Sequence, residues 1–130
     1  MKRPERRDTG QVPTDIRLHR RSRVLEVEFA NGRRFELSAE YLRVHSPSAE
    51  VRGHSPDQAV LQVGKASVGI TGIEPVGQYA VRIDFDDGHN TGLYSWDLLY
   101  DLGENQAAYW EAYLEALAEA GYTRETGDGA

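Results

Sequence analysis

Apolar and polar residues alternate along the first part of the chain, a pattern that predicts β-strands. In residues 14–20 the apolar side chains occupy alternate positions, as they do in a strand with one buried face. Similar alternation recurs in residues 24–29 and 35–37. Asn31 and Gly32 lie between these two segments, and this pair tolerates the positive φ angles of a type I′ turn. We therefore predict that the second and third segments form a β-hairpin.

A second series of extended segments follows in the middle of the chain. Short apolar runs at residues 60–63 and 68–73 predict two extended segments, the later one interrupted by glycines. Residues 79–85 alternate between large apolar and other residues, and the Asp-Asp-Gly sequence at 86–88 is a turn signal. Leu93 lies on the returning arm. The pattern predicts a second β-hairpin.

The two predicted hairpins resemble each other at an offset of 56 residues. Each has a phenylalanine three residues before its turn glycine, in segments 29–32 and 85–88, and each is followed by a serine and a short apolar segment, at Ser38 and Ser95. One explanation is a hairpin followed by a capped helix, used twice. The alternative is chance, because turn residues come from a small set.

Three helices are predicted. Ser38 can cap a short helix over residues 39–43, and a second short helix follows Ser95. The long C-terminal helix is predicted to start at Asn105 as its cap and to stop at Gly121. Its apolar residues recur with helical spacing: Trp110, Tyr113, Leu114 and Leu117. Another stripe should face water: Glu111, Glu115 and Glu119.

Together these elements predict an α+β fold. We expect a small, twisted, mainly antiparallel sheet of about five to seven strands, with two short helices and one C-terminal helix that covers a face. The domain is predicted to span residues 13–122. Residues 1–12 and 123–130 lack apolar periodicity, and we expect them to be disordered tails.

Composition narrows the class of protein. The 130 residues are 39% hydrophobic and 28% charged, with no cysteine, which fits one globular domain and excludes disulfides and thiolate metal sites. No apolar run approaches the roughly 18 residues of a membrane helix, and the charged N-terminus lacks the apolar core of a secretory signal. We therefore expect a cytoplasmic protein without membrane contact.

Charge is distributed unevenly. Residues 1–34 contain ten Lys and Arg against five acids, whereas the remainder contains five against sixteen. A basic face could bind RNA or an acidic partner, or it could be a solvated tail and strand face. The acidic isoelectric point of about 5.2 favours the second interpretation, so we expect no nucleic-acid partner.

The residues form no recognisable catalytic set. Gly64-Lys65 is followed by Ala66, where a phosphate-binding loop needs Ser or Thr. Ser67 has Lys65 two residues before it, where the nucleophile motif of a hydrolase needs glycine. The sequence therefore predicts a protein that is not an enzyme. An enzyme with a site of an unrecognised kind is the alternative.

Histidines and aspartates offer one candidate metal site. His45 and His54 bracket an irregular Ser- and Pro-containing loop, and His89 follows the turn at Asp86 and Asp87. If that loop folds over the second hairpin, these side chains suit zinc or iron(II). The spacing is not specific, and solvated surface histidines are the other interpretation, so no cofactor is expected.

Two long segments resemble a known family. They are Tyr-Leu-Arg-Val-His-Ser-Pro-Ser-Ala-Glu-Val-Arg-Gly-His at 41–54 and Asp-Asp-Gly-His-Asn-Thr-Gly-Leu-Tyr-Ser-Trp-Asp-Leu-Leu-Tyr at 86–100. The chain resembles, from about residue 13 to residue 122, the stand-alone bacterial form of the γ-butyrobetaine hydroxylase-like N-terminal domain, a domain of unknown function.

The resemblance implies a relation to two kinds of machinery. The domain occurs before the catalytic barrel of carnitine-pathway 2-oxoglutarate oxygenases and is fused to iron–sulfur carrier proteins. In the oxygenases it binds a structural zinc through a Cys-x-Cys-x2-Cys cluster and a histidine. His89 matches that histidine, but the cysteine positions fall on Ser46, Ser48 and Val51, so we expect the zinc site to be lost. The chain ends soon after Gly121, so the barrel and its hydroxylation are not expected either.

These considerations favour a non-catalytic interaction module, with an unidentified protein as its partner. Its predicted binding residues are Arg43, His45, Arg52 and His54. The alternative is an iron- or zinc-binding protein that uses His45, His54, His89, Asp86 and Asp87. In place of zinc, hydrogen bonds are predicted to hold the loop against the second turn, from Ser46, Ser48, Glu50 and His89.

Overall fold

The computed structural model describes residues 11–48 and 61–124. Within them the α+β prediction is confirmed by six strands and three helices. In chain order these are β1 (Pro13–His19), β2 (Val24–Phe29), β3 (Arg34–Ser38), α1 (Ala39–Val44), β4 (Ile70–Val76), β5 (Ala80–Phe85), β6 (Leu93–Ser95), α2 (Trp96–Glu104) and α3 (Gln106–Glu119). The predicted tails at 1–10 and 125–130 lie outside the described residues.

The strands belong to two sheets rather than to the single sheet that the sequence pattern suggested. β1, β2 and β3 form one three-stranded antiparallel sheet, and β4, β5 and β6 form the other. In each sheet the third strand runs directly into a helix, after Ser38 and after Ser95. The chain therefore leaves each sheet after three strands.

Both hairpins turn in the same way, but not by the predicted type I′ turn. The Gly32 N–H donates to Phe29 O and the Gly88 N–H to Phe85 O, at 2.9 and 3.1 Å. Both glycines have φ of 89°, whereas Asn31 is not in the positive-φ region. This is the geometry of a three-residue loop, a type I turn followed by a left-handed residue, and it needs positive φ only at glycine.

The predicted serine caps are confirmed, and they are nearly identical. Ser38 has φ −68° and ψ 153°, and its hydroxyl accepts from the Tyr41 N–H. Ser95 has φ −67° and ψ 161°, and its hydroxyl accepts from the Leu98 N–H. The chain thus contains two β-β-β-α units in succession, β1 to α1 and β4 to α2, which agrees with the interpretation of one motif used twice.

The two units share one hydrophobic core. Alternate residues of β2 and β5 point into it, among them Leu25, Val27 and Ile83, all fully buried. Helix α2 contributes Leu99 and Leu102, which are equally buried. Since both sheets and both short helices contribute to the same cluster, burial of apolar area stabilises the units jointly.

Helix α3 covers the core through Tyr109, Tyr113 and Leu117, and its three glutamates are exposed as predicted. Asn105 precedes the first residue of α3, as predicted, but its side chain makes no capping hydrogen bond. Asn105 also ends α2, and its amide donates to Asp101 Oδ1 at 2.8 Å. Because Asn105 also ends α2, its backbone does not have the extended conformation that a side-chain cap requires.

The predicted extended segment at 60–63 is not a strand in its described part. Leu61 and Val63 instead pack on the cluster of Val44, Tyr113 and Leu117. These apolar side chains are partly buried against helices α1 and α3 and do not pair as a strand. Among the described residues, no helix has the length and apolar character needed to cross a membrane.

Candidate functional site

The turn of the second hairpin is joined to helix α1 by a charged cluster around Asp87. Arg43 Nε and Lys65 Nζ donate to Asp87 Oδ2 at 2.9 and 2.7 Å. The backbone N–H of His89 donates to the other carboxylate oxygen at 3.1 Å. The Arg43 side chain is only 8% exposed, and Gln62 accepts a further bond from it at 3.0 Å. The carboxylate of Asp87 therefore neutralises the charge of the buried Arg43 guanidinium.

Two opposing effects set the pKa of Asp87. Partial burial raises it, but hydrogen bonds from Lys65, the His89 backbone and Arg43 outweigh burial and lower the pKa to about 2. The folded protein thus holds the ionised form more strongly than the unfolded chain does, where the pKa is near 3.8. This difference corresponds to about 2 kcal/mol of folding stability.

This stability is fully present above the unfolded pKa and is lost as the pH falls through the folded value. Between about pH 5 and about pH 2 the wild type should lose about 2 kcal/mol of folding stability that the Asp87→Asn variant does not lose. Urea unfolding followed by tryptophan fluorescence at several pH values measures both curves. Parallel curves for the two proteins would contradict the coupling.

The described start of the loop after α1, residues 45–48, lies against residues 89–92, which follow this turn, as predicted. Ser46 Oγ and His89 Nε2 share a hydrogen bond of 2.9 Å, and Ser48 Oγ and Thr91 Oγ1 share one of 2.6 Å. A Cβ on Gly92 would lie 2.5 Å from Ser46 Oγ, so this close approach requires glycine. Of the predicted bonding residues, Glu50 lies outside the described residues.

The described residues do not fit the zinc that the family resemblance implies. Ser46 and Ser48 stand where two thiolates would be, and hydroxyls do not belong to the usual zinc donors. His89 Nε2, the atom that could face a metal, is hydrogen-bonded to Ser46 Oγ. Val51, at the third thiolate position, has no donor atom in its side chain. The junction is held by direct hydrogen bonds instead.

Of the four predicted binding residues, the structure describes Arg43 and His45. Arg43 and His45 are 7% and 5% exposed, and His45 packs between tyrosines of α1 and α3. Arg52 and His54 lie outside the described residues, and Asp86 is exposed in the turn. Within residues 11–48 and 61–124, no group of three or more potential metal ligands occurs. A binding role for Arg43 and His45 stays a prediction, while their burial supports a structural role.

The hydrogen bond between Ser46 and His89 can be tested directly. Ser46 is 1% exposed, and in the His89→Ala variant its hydroxyl loses this partner but keeps the Ser48 N–H, at a cost of about 1 kcal/mol. We expect lower stability in urea and faster amide exchange at residues 46–48. His19→Ala is the control, because that side chain is 46% exposed and its loss should cost less than about 0.5 kcal/mol. Equal exchange in both variants would refute the role of His89.

The first hairpin turn makes the equivalent contact in the opposite direction. Asn31 Nδ2 donates to the Tyr100 hydroxyl at 2.9 Å. Asn31 and Asp87 immediately precede the two turn glycines, and Tyr100 and Arg43 are each the fifth residue of their helix. Each turn therefore bonds the same position of the other unit's helix.

Buried tyrosines join the units further. The Tyr41 hydroxyl donates to Leu102 O at 2.7 Å, and the Tyr94 hydroxyl donates to Leu42 O. Burial raises the pKa of both phenols well above the usual range. Both hydroxyls therefore keep their protons and remain hydrogen-bond donors throughout the neutral range.

Sequence reasoning missed one feature, a cleft of about 610 Å³ between the start of α1, the start of α3 and residues 66–68. We call it the Trp110 cleft, after the indole that lines it together with Glu40 and Arg124. The sequence pattern placed Glu40 in the first predicted short helix and Trp110 on the apolar stripe of the C-terminal helix. No local signal connects these residues with Arg124.

Two β-β-β-α units with reciprocal contacts, a loop bonded to the second turn and a covering C-terminal helix define a small α+β module. Comparison with known families identifies it. The model of the family described as "Gamma-butyrobetaine hydroxylase-like, N-terminal" matches residues 16–100. The chain belongs to this family, as the resemblance of its two segments indicated.

Solved structures agree with this assignment. Two NMR solution structures match with TM-scores of 0.78. One is 52% identical and covers 92% of this chain and 89% of its own, and the other is 48% identical and covers 88% and 90%. A crystal structure from Acidithiobacillus ferrooxidans, of a protein of unknown function in the DUF971 family, is 40% identical with a TM-score of 0.57, covering 70% and 91%. A search of curated proteins finds no match.

Proposed function

We propose that this protein is a non-catalytic interaction module that docks a partner protein in the Trp110 cleft. The observation that carries the proposal is the cleft itself. Its volume of about 610 Å³ lies in the range of pockets that bind ligands or side chains. An indole and a carboxylate line it, a combination that can bind both apolar and cationic groups.

The position of the cleft also supports docking. It lies where the first unit, helix α3 and residues 66–68 meet, so its walls come from three separate parts of a rigid core. Tryptophan contributes strongly to binding when it lines a pocket at an interface. Trp110 is partly buried against Tyr41 and Tyr113, which fixes its ring before a partner arrives.

This proposal places binding away from the loop. The buried positions of Arg43 and His45 favour a structural task at the junction, whereas the cleft is open to solvent. The family resemblance suggests the class of partner, an oxygenase or an iron–sulfur carrier protein. The module would then act by bringing such a protein to its site of action.

Site-specific photocrosslinking tests this proposal. Ala107 is exposed and lines the cleft, whereas its neighbour Ala108 is exposed and does not. The two positions differ by about 100° around the helix axis. A benzoylphenylalanine at position 107, in the native cell, is expected to give one discrete protein adduct that position 108 does not give.

Two results of these experiments would contradict docking in the cleft. If position 107 gives no adduct, or the same adducts as position 108, docking in the cleft is wrong. Trp110→Ala in the crosslinking chain is the second measurement. Loss of the indole should abolish the adduct, and an adduct that persists unchanged would also overturn the proposal.

A further inference from the structure

On one wall of the Trp110 cleft an arginine side chain lies against the carboxylate and the indole. Arg124 Nε lies 3.0 Å from Glu40 Oε2, and Arg124 Nη2 lies 2.6 Å from Glu40 Oε1. The guanidinium carbon is 5.5 Å from the centroid of the Trp110 ring. A bidentate carboxylate and an aromatic ring are the two features that recognise a planar guanidinium.

Glu40, the acceptor in this contact, is buried. Glu40 is in the first turn of α1, and its side chain is only 6% exposed. A carboxylate at that depth needs a cationic or hydrogen-bonding partner, because desolvation of an unpaired charge is costly. Glu40 and Trp110 therefore form a site suited to a cation, which Arg124 fills in this structure.

The arginine side of the contact is much more exposed than the carboxylate side. Arg124 follows the end of α3, beyond Gly121, and its side chain is 45% exposed. Its backbone carbonyl accepts one bond, from the Ala66 N–H, at the long distance of 3.3 Å. The difference in burial between the two partners means that the guanidinium can leave while the carboxylate stays in place.

We propose that Glu40 and Trp110 form a receptor for an arginine side chain of the partner protein, which Arg124 fills in cis until the partner displaces it. This inference rests on the proposed function and specifies its chemistry. Arginine fits better than lysine, because two parallel N–H groups meet the carboxylate while the flat guanidinium lies against the indole. Arg124 then acts as an internal competitor that weakens the binding of incorrect ligands.

The test uses the full chain and acetyl-arginine methylamide as the probe. In the Arg124→Ala variant, titration is expected to shift the indole N–H resonance of Trp110 and the amide resonance of Tyr41 in a saturable manner. The wild type should bind the probe at least about tenfold more weakly. Acetyl-lysine methylamide should bind the variant more weakly than the arginine probe. Arg124→Ala combined with Glu40→Gln should not bind it.

A second measurement applies even if the variant is less stable. Millimolar methylguanidinium should raise the melting temperature of the Arg124→Ala variant by mass action. Methylammonium at the same concentration should raise it less, and neither should stabilise the double variant with Glu40→Gln. Arg34→Ala, which removes an exposed ion pair with Glu28, is the matched control and should show no rescue.

The results separate this inference from the proposed function. Absence of probe binding and of rescue in the Arg124→Ala variant would overturn the arginine receptor, as would equal responses to the arginine and lysine compounds. The crosslink at position 107 does not depend on guanidinium chemistry. A positive crosslink with a negative titration would therefore leave docking in the cleft intact and refute only the receptor.

Discussion

The Asp87→Ala variant is expected to be less stable than the wild type by about 3 kcal/mol at neutral pH, the range seen when one partner of a buried ion pair is removed. The reason is the side chain left behind. Arg43 is 8% exposed, and without Asp87 its guanidinium keeps the neutral Gln62 but loses the carboxylate that balances its charge. The loop after α1 should loosen as a consequence.

Urea unfolding measures the loss of stability, and amide exchange at residues 46–48 reports on the loop. The matched control is Asp86→Ala, one residue earlier in the same turn, where the residue is exposed. It should change stability by less than about 0.5 kcal/mol. Similar values for the two variants would show that the turn, and not the charge on Asp87, holds the junction together.

The Gly103→Ala variant is expected to be destabilised even though alanine is the better helix former. A Cβ at this position would lie 2.3 to 2.6 Å from three ring atoms of Phe35. That ring is enclosed by edge contacts with Phe29 and Tyr100, so it has little room to move. Overpacking of this kind costs about 1–3 kcal/mol or more, against a helix gain of about 1 kcal/mol.

Thermal unfolding of a double variant tests this explanation. Phe35→Ala removes the three ring atoms that the new methyl group would meet, Cγ, Cδ1 and Cδ2, at the cost of the buried area of the ring. Combined with Gly103→Ala, it should be less destabilising than the sum of the two single changes. Additive losses would indicate that the glycine is needed for a reason other than the contact with Phe35.

The features predicted correctly from the residue pattern alone depend on near neighbours, whereas the contact between Ser46 and His89 was predicted through the family resemblance. Residues a few positions apart in the sequence were enough to predict the strand at Val24–Phe29, the turn glycines and the serine caps at Ser38 and Ser95. The type of the turn was wrong, because Asn-Gly fits both kinds of hairpin loop and the residues after the glycine decide between them.

The features that the sequence did not reveal depend on residues far apart. Arg43 and Asp87 are separated by 44 positions, and Glu40 and Arg124 by 84. Periodicity carries no information on such pairs. The division into two sheets was missed for the same reason, since alternation shows that a strand has a buried face and does not show which strand it pairs with.

The reciprocal contacts between the two turns and the two helices have a consequence for how the protein assembles. Asn31 bonds Tyr100, and Arg43 bonds Asp87, so each half carries groups whose partners belong to the other half. A polypeptide nicked once between residues 48 and 61 should stay associated as two fragments that complement each other. Either fragment alone would lack part of its interior, so neither unit is expected to fold by itself.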